Sequence, residues 1–239
     1  MRAIGVVLCL CGGLLFGWAA EPDAVIRDLI AAREALEDVP FAKVVQAATG
    51  KRIVPLDPKR DDALVKKIGK ALDRAVAALR TATHPAHREK RINEVSRHLE
   101  EAIRTELDRV DGFACDFPRN REGRVQRSGY PDLRLVVEAD GRVLYLDPKL
   151  FAADSRNSSL RTFYFTPQTE TAKVHEDAHH LLIGIPHRGR QDGAWQFGGW
   201  ELVDLAKFRV RLKVEFQAGN RDVYQDENIV ARATSGDDP

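Results

Sequence analysis

Hydrophobic residues recur along this chain with two different periods, and the change of period divides it. Behind Pro22-Asp23, the residues Val25, Ile26, Leu29, Ile30 and Leu36 fall at helical spacing, Arg33 interrupts the stripe, and Asp38-Val39-Pro40 ends the run. A short element over residues 41–48 stops at Gly50, and Pro55 and Pro58 mark a loop. Leu64, Ile68, Leu72, Ala75 and Leu79 define a second amphipathic helix over residues 61–79, broken by Thr83-His84-Pro85. A third, over residues 89–110, carries Ile92, Val95, Leu99, Ile103 and Leu107 on one face, with Glu94, Glu100, Glu101 and Glu106 off or beside it. Residues 113–129 read as a loop or irregular strand. From there the pattern is β: strands are predicted at 133–137, 142–146, 160–165 (closed by Thr166-Pro167) and 181–185. Residues 208–216 alternate apolar and charged strictly, which predicts one more.

The pair 133–137 and 142–146 organises the rest, because Asp140-Gly141 between them supplies the chemistry of a tight hairpin turn. If the loop is residues 138–141, Asp132 sits opposite Asp147. If it is Asp140 and Gly141 alone, Asp132 sits opposite Lys149. Either register puts Asp132, Asp147 and Lys149 on one face, and Leu133, Leu135, Val137, Leu144 and Leu146 on the other, which can be buried. Two carboxylates close together repel, and a divalent cation relieves that repulsion. Hard oxygen ligands suit Mg²⁺, with Mn²⁺ as an alternative, and Lys149 beside them can orient or deprotonate the attacking water and stabilise charge developing on a phosphate. The plain alternative is an ordinary charged hairpin.

Pro131-Asp132 followed by Asp147-Pro148-Lys149 on a strand resembles the PD-(D/E)XK motif of the restriction-endonuclease-like nucleases. The resemblance implies an α/β fold with a restriction-endonuclease-like mixed β-sheet flanked by helices, here behind an N-terminal helical segment. It also implies Mg²⁺-dependent hydrolysis of nucleic acid, DNA being the expected substrate, with a homodimer compatible. A helix before the hairpin donates a further carboxylate in many such enzymes. The run Asn93-Glu-Val-Ser-Arg-His-Leu-Glu100 is similar to their Asn-led helix and points to Glu100 as a further metal ligand, with Glu94 second. Pro148 departs from the pattern, since it removes a main-chain N–H from an expected central strand, and a bulge or altered pairing is predicted there. Arg119, Arg121, Arg124 and Arg127 precede the hairpin and can hold phosphates, and Arg209, Arg211 and Lys213 lie at strand spacing where they can track a nucleic-acid backbone. The same charges can equally be a solvated loop and the wet side of a sheet edge. Residues 199–204 and 217–224 resemble the C-terminal part of some restriction-type families, so the resemblance covers about residues 92–224.

Composition changes this picture little. The 239 residues are 44% apolar and 31% charged with a formal net charge of +1, so the chain is globular and an anionic substrate must be met by local patches. Residues 1–20 read as a secretory signal: Arg2, an apolar run over residues 4–16, then Gly17-Trp18-Ala19. That predicts a secreted or periplasmic protein with no stable membrane span after cleavage. Cys9 and Cys11 fall inside the segment, leaving Cys115 unable to form an internal disulfide. The expected divisions are a helical segment over 21–88, a nuclease-like domain over 89–228 and a disordered tail over 229–239.

One motif competes. His175-Glu176-Asp-Ala-His179 matches HExxH, in which two histidines one helical turn apart bind Zn²⁺ and the glutamate is the general base, with Glu201 available as third ligand. It makes a secreted zinc metalloprotease the alternative. Against it, the apolar run 181–185 follows at once and leaves only a short helix, and a surface histidine cluster is the simpler meaning of His175, His179 and His180. A non-catalytic binding module that keeps the fold is the third reading.

Overall fold

The computed structural model describes residues 22–159, 163–167 and 171–231, so the expected signal segment and most of the expected tail lie outside the described residues. The described residues fall into two compact units, residues 22–37 with 211–231, and residues within 38–210. In the first, helix α1 (Pro22–Ala35) carries the expected stripe, and Leu212 N–H donates to Leu36 O at 2.8 Å.

The second unit is built on a mixed sheet. In chain order it has β1 (Val39–Pro40), α2 (Phe41–Thr49), α3 (Asp62–Arg80), α4 (Ile92–Asp108), β2 (Phe113–Asp116), β3 (Leu133–Val137), β4 (Arg142–Ala152), β5 (His179–Gln191), β6 (Ala194–Phe197), β7 (Glu201–Asp204) and β8 (Arg209–Val210). The main sheet runs β2-β3-β4-β5-β6, with β7 also pairing β5; β4 and β5 are parallel and the remaining pairs antiparallel. The helices stand where periodicity puts them. Helix α2 ends because Gly50 takes φ +72°, a left-handed conformation that glycine adopts without strain, and its N–H donates to Gln46 O at 2.8 Å.

The sheet is covered on both faces. On one, Ile68, Leu72 and Leu79 of α3 and Leu99, Ile103 and Leu107 of α4 pack against Leu133, Leu135, Leu144, Leu146, Leu181 and Ile183. Each such side chain stabilises the fold by about 1.5–3 kcal/mol through removal from water. This core runs through α3 and α4 together. On the other face Phe41 and Val45 of α2 pack with Tyr130, Val143, Tyr145 and Val174. Asp61, buried at the start of α3, ties the two layers by accepting from Arg142 of β4 at 2.6 Å, and its carboxyl is held well below the ordinary carboxylate range by Arg60 above all.

Three expectations need correction. Residues 208–216 do not form one strand: only Arg209–Val210 is a strand, because in its antiparallel register with β1 residue 208 meets Phe41, where α2 begins, and residues from 214 on would have to pair with α1, which ends at Ala35. Residues 163–165 are not a strand; Phe163 and Phe165 instead set their ring edges against Phe41 at 5.1 and 5.6 Å. Residues 160–162 of that expected strand lie outside the described residues. Pro148 causes no bulge, for the β4–β5 register passes through Pro148↔Ile183 without a shift. Leu146 O accepts from Asp132 N, so Leu146, and Pro148 two residues on, turn their main-chain groups to the β3 side. The β3 ladder has already ended there, and the missing N–H costs no bond.

Candidate active site

The hairpin adopts the register with loop 138–141: Leu133 pairs Leu146 and Val137 pairs Arg142, so Asp132 stands opposite Asp147. Alternation then places Asp147 on the same face as Tyr145, at the margin of the second core, and it is only 2% exposed. Lys149 Nζ lies 3.2 Å from Asp132 Oδ2 and 2.8 Å from Asp147 Oδ2. The first contact is a directed hydrogen bond; the second is a charge contact off the donor direction, so Asp147 Oδ2 is a buried acceptor without a well-aligned donor.

Electrostatics follow from that packing. Burial first, and the neighbouring Asp132 second, push the Asp147 carboxyl up to about 7. Burial alone would lower the Lys149 ammonium, but Asp147 and Asp132 outweigh it and hold its pKa above the ordinary value.

Three further groups face this cluster. Glu100, on α4, is raised by burial and then by Asp132, and its Oε2 accepts from Arg127 Nη2 at 2.8 Å. The Arg127 guanidinium in turn stacks on Phe117, 3.7 Å from the ring centroid. Glu94 is engaged elsewhere, accepting from Arg91 N at 3.2 Å at the start of α4. Lys173, fully buried, donates to Gly129 O at 2.6 Å and Gln126 O at 3.1 Å. Tyr130, two residues before Asp132, bonds His180 Nδ1 through its hydroxyl at 2.6 Å. Sequence reasoning missed Lys173 and Tyr130, which come to the cluster through tertiary packing, and it put His179 and His180 in a surface cluster, whereas both are buried as β5 enters the sheet.

The histidines do not form a zinc site. Residues 171–177 carry no helix and His179 opens β5, so the one-turn spacing that would put His175 and His179 on a common face is lost. His175 Nε2 bonds Arg119 O at 2.9 Å, and His179 Nδ1 bonds Val54 O at 2.8 Å. Glu176 is tied to Arg134 at 2.7 Å and to the Tyr145 hydroxyl, while Glu201 pairs with Arg156. Among the described residues, no three His, Cys, Asp or Glu side chains converge closely enough to hold an ion by themselves. Glu100 is therefore not gathered with both aspartates in this state.

The basic residues are dispersed. Arg119 donates to Gly123 O at 2.8 Å, Arg124 pairs with Glu122, and Arg121 is exposed. Arg209 is held by Asp38, whereas Arg211 and Lys213, the latter paired with Glu215, belong to the other unit. Of the seven, Arg127 alone contacts a member of the cluster.

Comparison with known proteins gives this geometry a family. Residues 35–227 match the type II restriction enzyme MjaV family. The chain belongs to that family. It is 30% identical over 224 residues to the type II restriction enzyme MjaV of Methanocaldococcus jannaschii, covering 88% of this chain and 94% of that protein. The mixed sheet flanked by helices is accordingly a restriction-endonuclease-like fold. Membership in the MjaV family also corrects the expected destination: a type II restriction enzyme is normally a cytoplasmic protein, which conflicts with secretion or a periplasmic location. Among the described residues no helix is long and apolar enough to cross a membrane.

Proposed function

We propose that this chain is a Mg²⁺-dependent endonuclease of the PD-(D/E)XK type, hydrolysing phosphodiester bonds of DNA at Asp132, Asp147 and Lys149. The observation that carries the reading is the hairpin register, which sets two carboxylates opposite each other with one ammonium within 3.2 Å of both. The family supports DNA as substrate. The residues present fit a divalent cation. Asp147 Oδ2 is a buried oxygen lacking a well-aligned donor, beside a second carboxylate that repels it. Asp132 and Asp147 would hold the ion, and Glu100 would join them once Arg127 releases it. When bound, the cation supplies charge neutralisation and Lewis-acid polarisation of the phosphate.

The chain's own groups define the rest. Lys149 is held as an ammonium, so it acts as a fixed positive charge toward the phosphate oxygens and the attacking water, and not as a proton acceptor. Its contacts to both aspartates orient it before substrate arrives, which leaves little reorganisation for the reacting state. Arg127, poised over Phe117, offers a planar guanidinium to a phosphate that competes with Glu100. One such site cuts one strand, so a pair of chains on the duplex is part of the proposal, checked by sedimentation with cognate DNA.

The reading is tested by incubating purified full chain with supercoiled plasmid, RNA and casein after chelation, then adding back Mg²⁺, Mn²⁺ or Zn²⁺. Plasmid cleavage restored by Mg²⁺ or Mn²⁺ and abolished in Asp147→Asn is expected. Cleavage that persists in the chelator, or survives that substitution, overturns it.

A further inference from the structure

The turn that delivers Asp132 is gripped by a buried ammonium on a segment leading into β5. Lys173 is only 1% exposed, and its Nζ donates to the carbonyls of Gly129 and Gln126 at 2.6 and 3.1 Å. Burying a lysine is costly unless its donors are satisfied, and here burial lowers its pKa to about 8 while Asp132, Asp147 and Glu100 work against that shift. The gripped carbonyls bracket a turn whose last residue, Gly129, has φ +78°. Tyr130 is anchored next by its hydroxyl to His180, and Asp132 N then closes the ladder onto Leu146 O at 3.0 Å. Residues 126–132 are thus fixed from the β5 side and from β4. A carboxylate set opposite another is pushed away by it, so the backbone that carries it must be held.

We propose that Lys173 is a positioning residue: by holding the Gln126 and Gly129 carbonyls it fixes the turn that presents Asp132, without touching cation or DNA itself. The inference rests on the Asp132–Asp147–Lys149 reading. It has a sign that separates it from plain electrostatics. An ammonium repels a cation, so removing its charge alone would tighten cation binding. Loss of positioning weakens it.

The test measures Mn²⁺ binding to the DNA-free full chain, by electron paramagnetic resonance of the free ion, for wild type, Lys173→Met and Lys173→Gln. Removing a partner that orients a metal ligand typically weakens metal affinity about 10–100-fold. Lys173→Met is expected to fall in that range, with single-turnover cleavage falling in parallel and the DNA Kd changing less than about threefold. Lys173→Gln, which keeps an amide donor for the carbonyls but no charge, recovers part of the loss. Unchanged or tighter Mn²⁺ binding in Lys173→Met overturns the proposal, as does equal behaviour of Met and Gln. If Met alone fails to fold, Gln is judged against wild type by the same sign. If neither folds, Lys173 is a strut of the whole unit and the positioning role is overturned. Asp147→Asn is run alongside: Mn²⁺ binding there at wild-type strength would sink the site reading itself, whatever Lys173 does.

Discussion

Asp147→Asn in the metal-free protein probes the site through stability alone. Two carboxylates and the Lys149 ammonium carry a formal charge of −1 when both aspartates ionise; the substitution leaves Asp132 and Lys149 paired and neutral. The folded Asp147 carboxyl is raised from 3.8 to about 7, chiefly by burial. Because the folded value is the higher one, the proton on Asp147 favours the native state below the unfolded pKa, and that contribution is lost as pH rises through about 7. At about 1.4 kcal/mol per unit, the full shift corresponds to an upper bound of ~4 kcal/mol. Relaxation around a strongly interacting pair reduces this to an expected ~1–3 kcal/mol. Asn resembles the protonated acid, so it should stabilise the chelated protein by that amount at pH 8 and by almost nothing near pH 4. For a chain of this size that is a rise in Tm of roughly 2–10 °C at the higher pH. The assay is a thermal melt in chelator at both pH values. A difference from wild type that is equal at the two pH values, or a destabilised variant at pH 8, would falsify the account of Asp147 as a strained buried acid.

Other consequences are separable by assay. Lys149→Ala leaves both carboxylates, so Mn²⁺ binding should survive while single-turnover cleavage drops on the order of 10²–10³-fold, a loss typical for removing a charge-stabilising group; parallel loss of both would assign Lys149 a structural role only. Purified protein should contain no stoichiometric zinc, and His175→Ala, whose ring nitrogen bonds the Arg119 main-chain carbonyl, should keep cleavage within about threefold of wild type; one zinc per chain lost in that variant would revive the hydrolysis of peptides. Arg127→Ala should lower the slope of log affinity against log salt by about 0.9, the share of one phosphate contact. An unchanged slope would confine Arg127 to its pairing with Glu100.

What the linear order determined is everything that one periodic element can encode by itself. The stripes Leu64 to Leu79 and Val95 to Leu107 specified α3 and α4, and Gly50 specified where α2 stops. The hairpin and the common face of Asp132, Asp147 and Lys149 were equally legible, since a side-chain period of two fixes the face in either register. Tertiary structure decided whatever needed a neighbour from elsewhere in the chain. Residues 208–216 alternate like a strand, yet a strand requires an edge to pair with, and the register with β1 runs into α2 at Phe41 and into α1 at Ala35. His175 and His179 have helical spacing, yet β4 takes His179 into a parallel ladder instead. Pro148 is harmless because β3 has already ended beside it. The burial that raises Asp147, the grip of Lys173 on Gly129 and Gln126, and the hold of Arg127 on Glu100 join segments far apart in sequence. No local pattern reports them, because charge and desolvation act through space, and only the folded chain sets those distances.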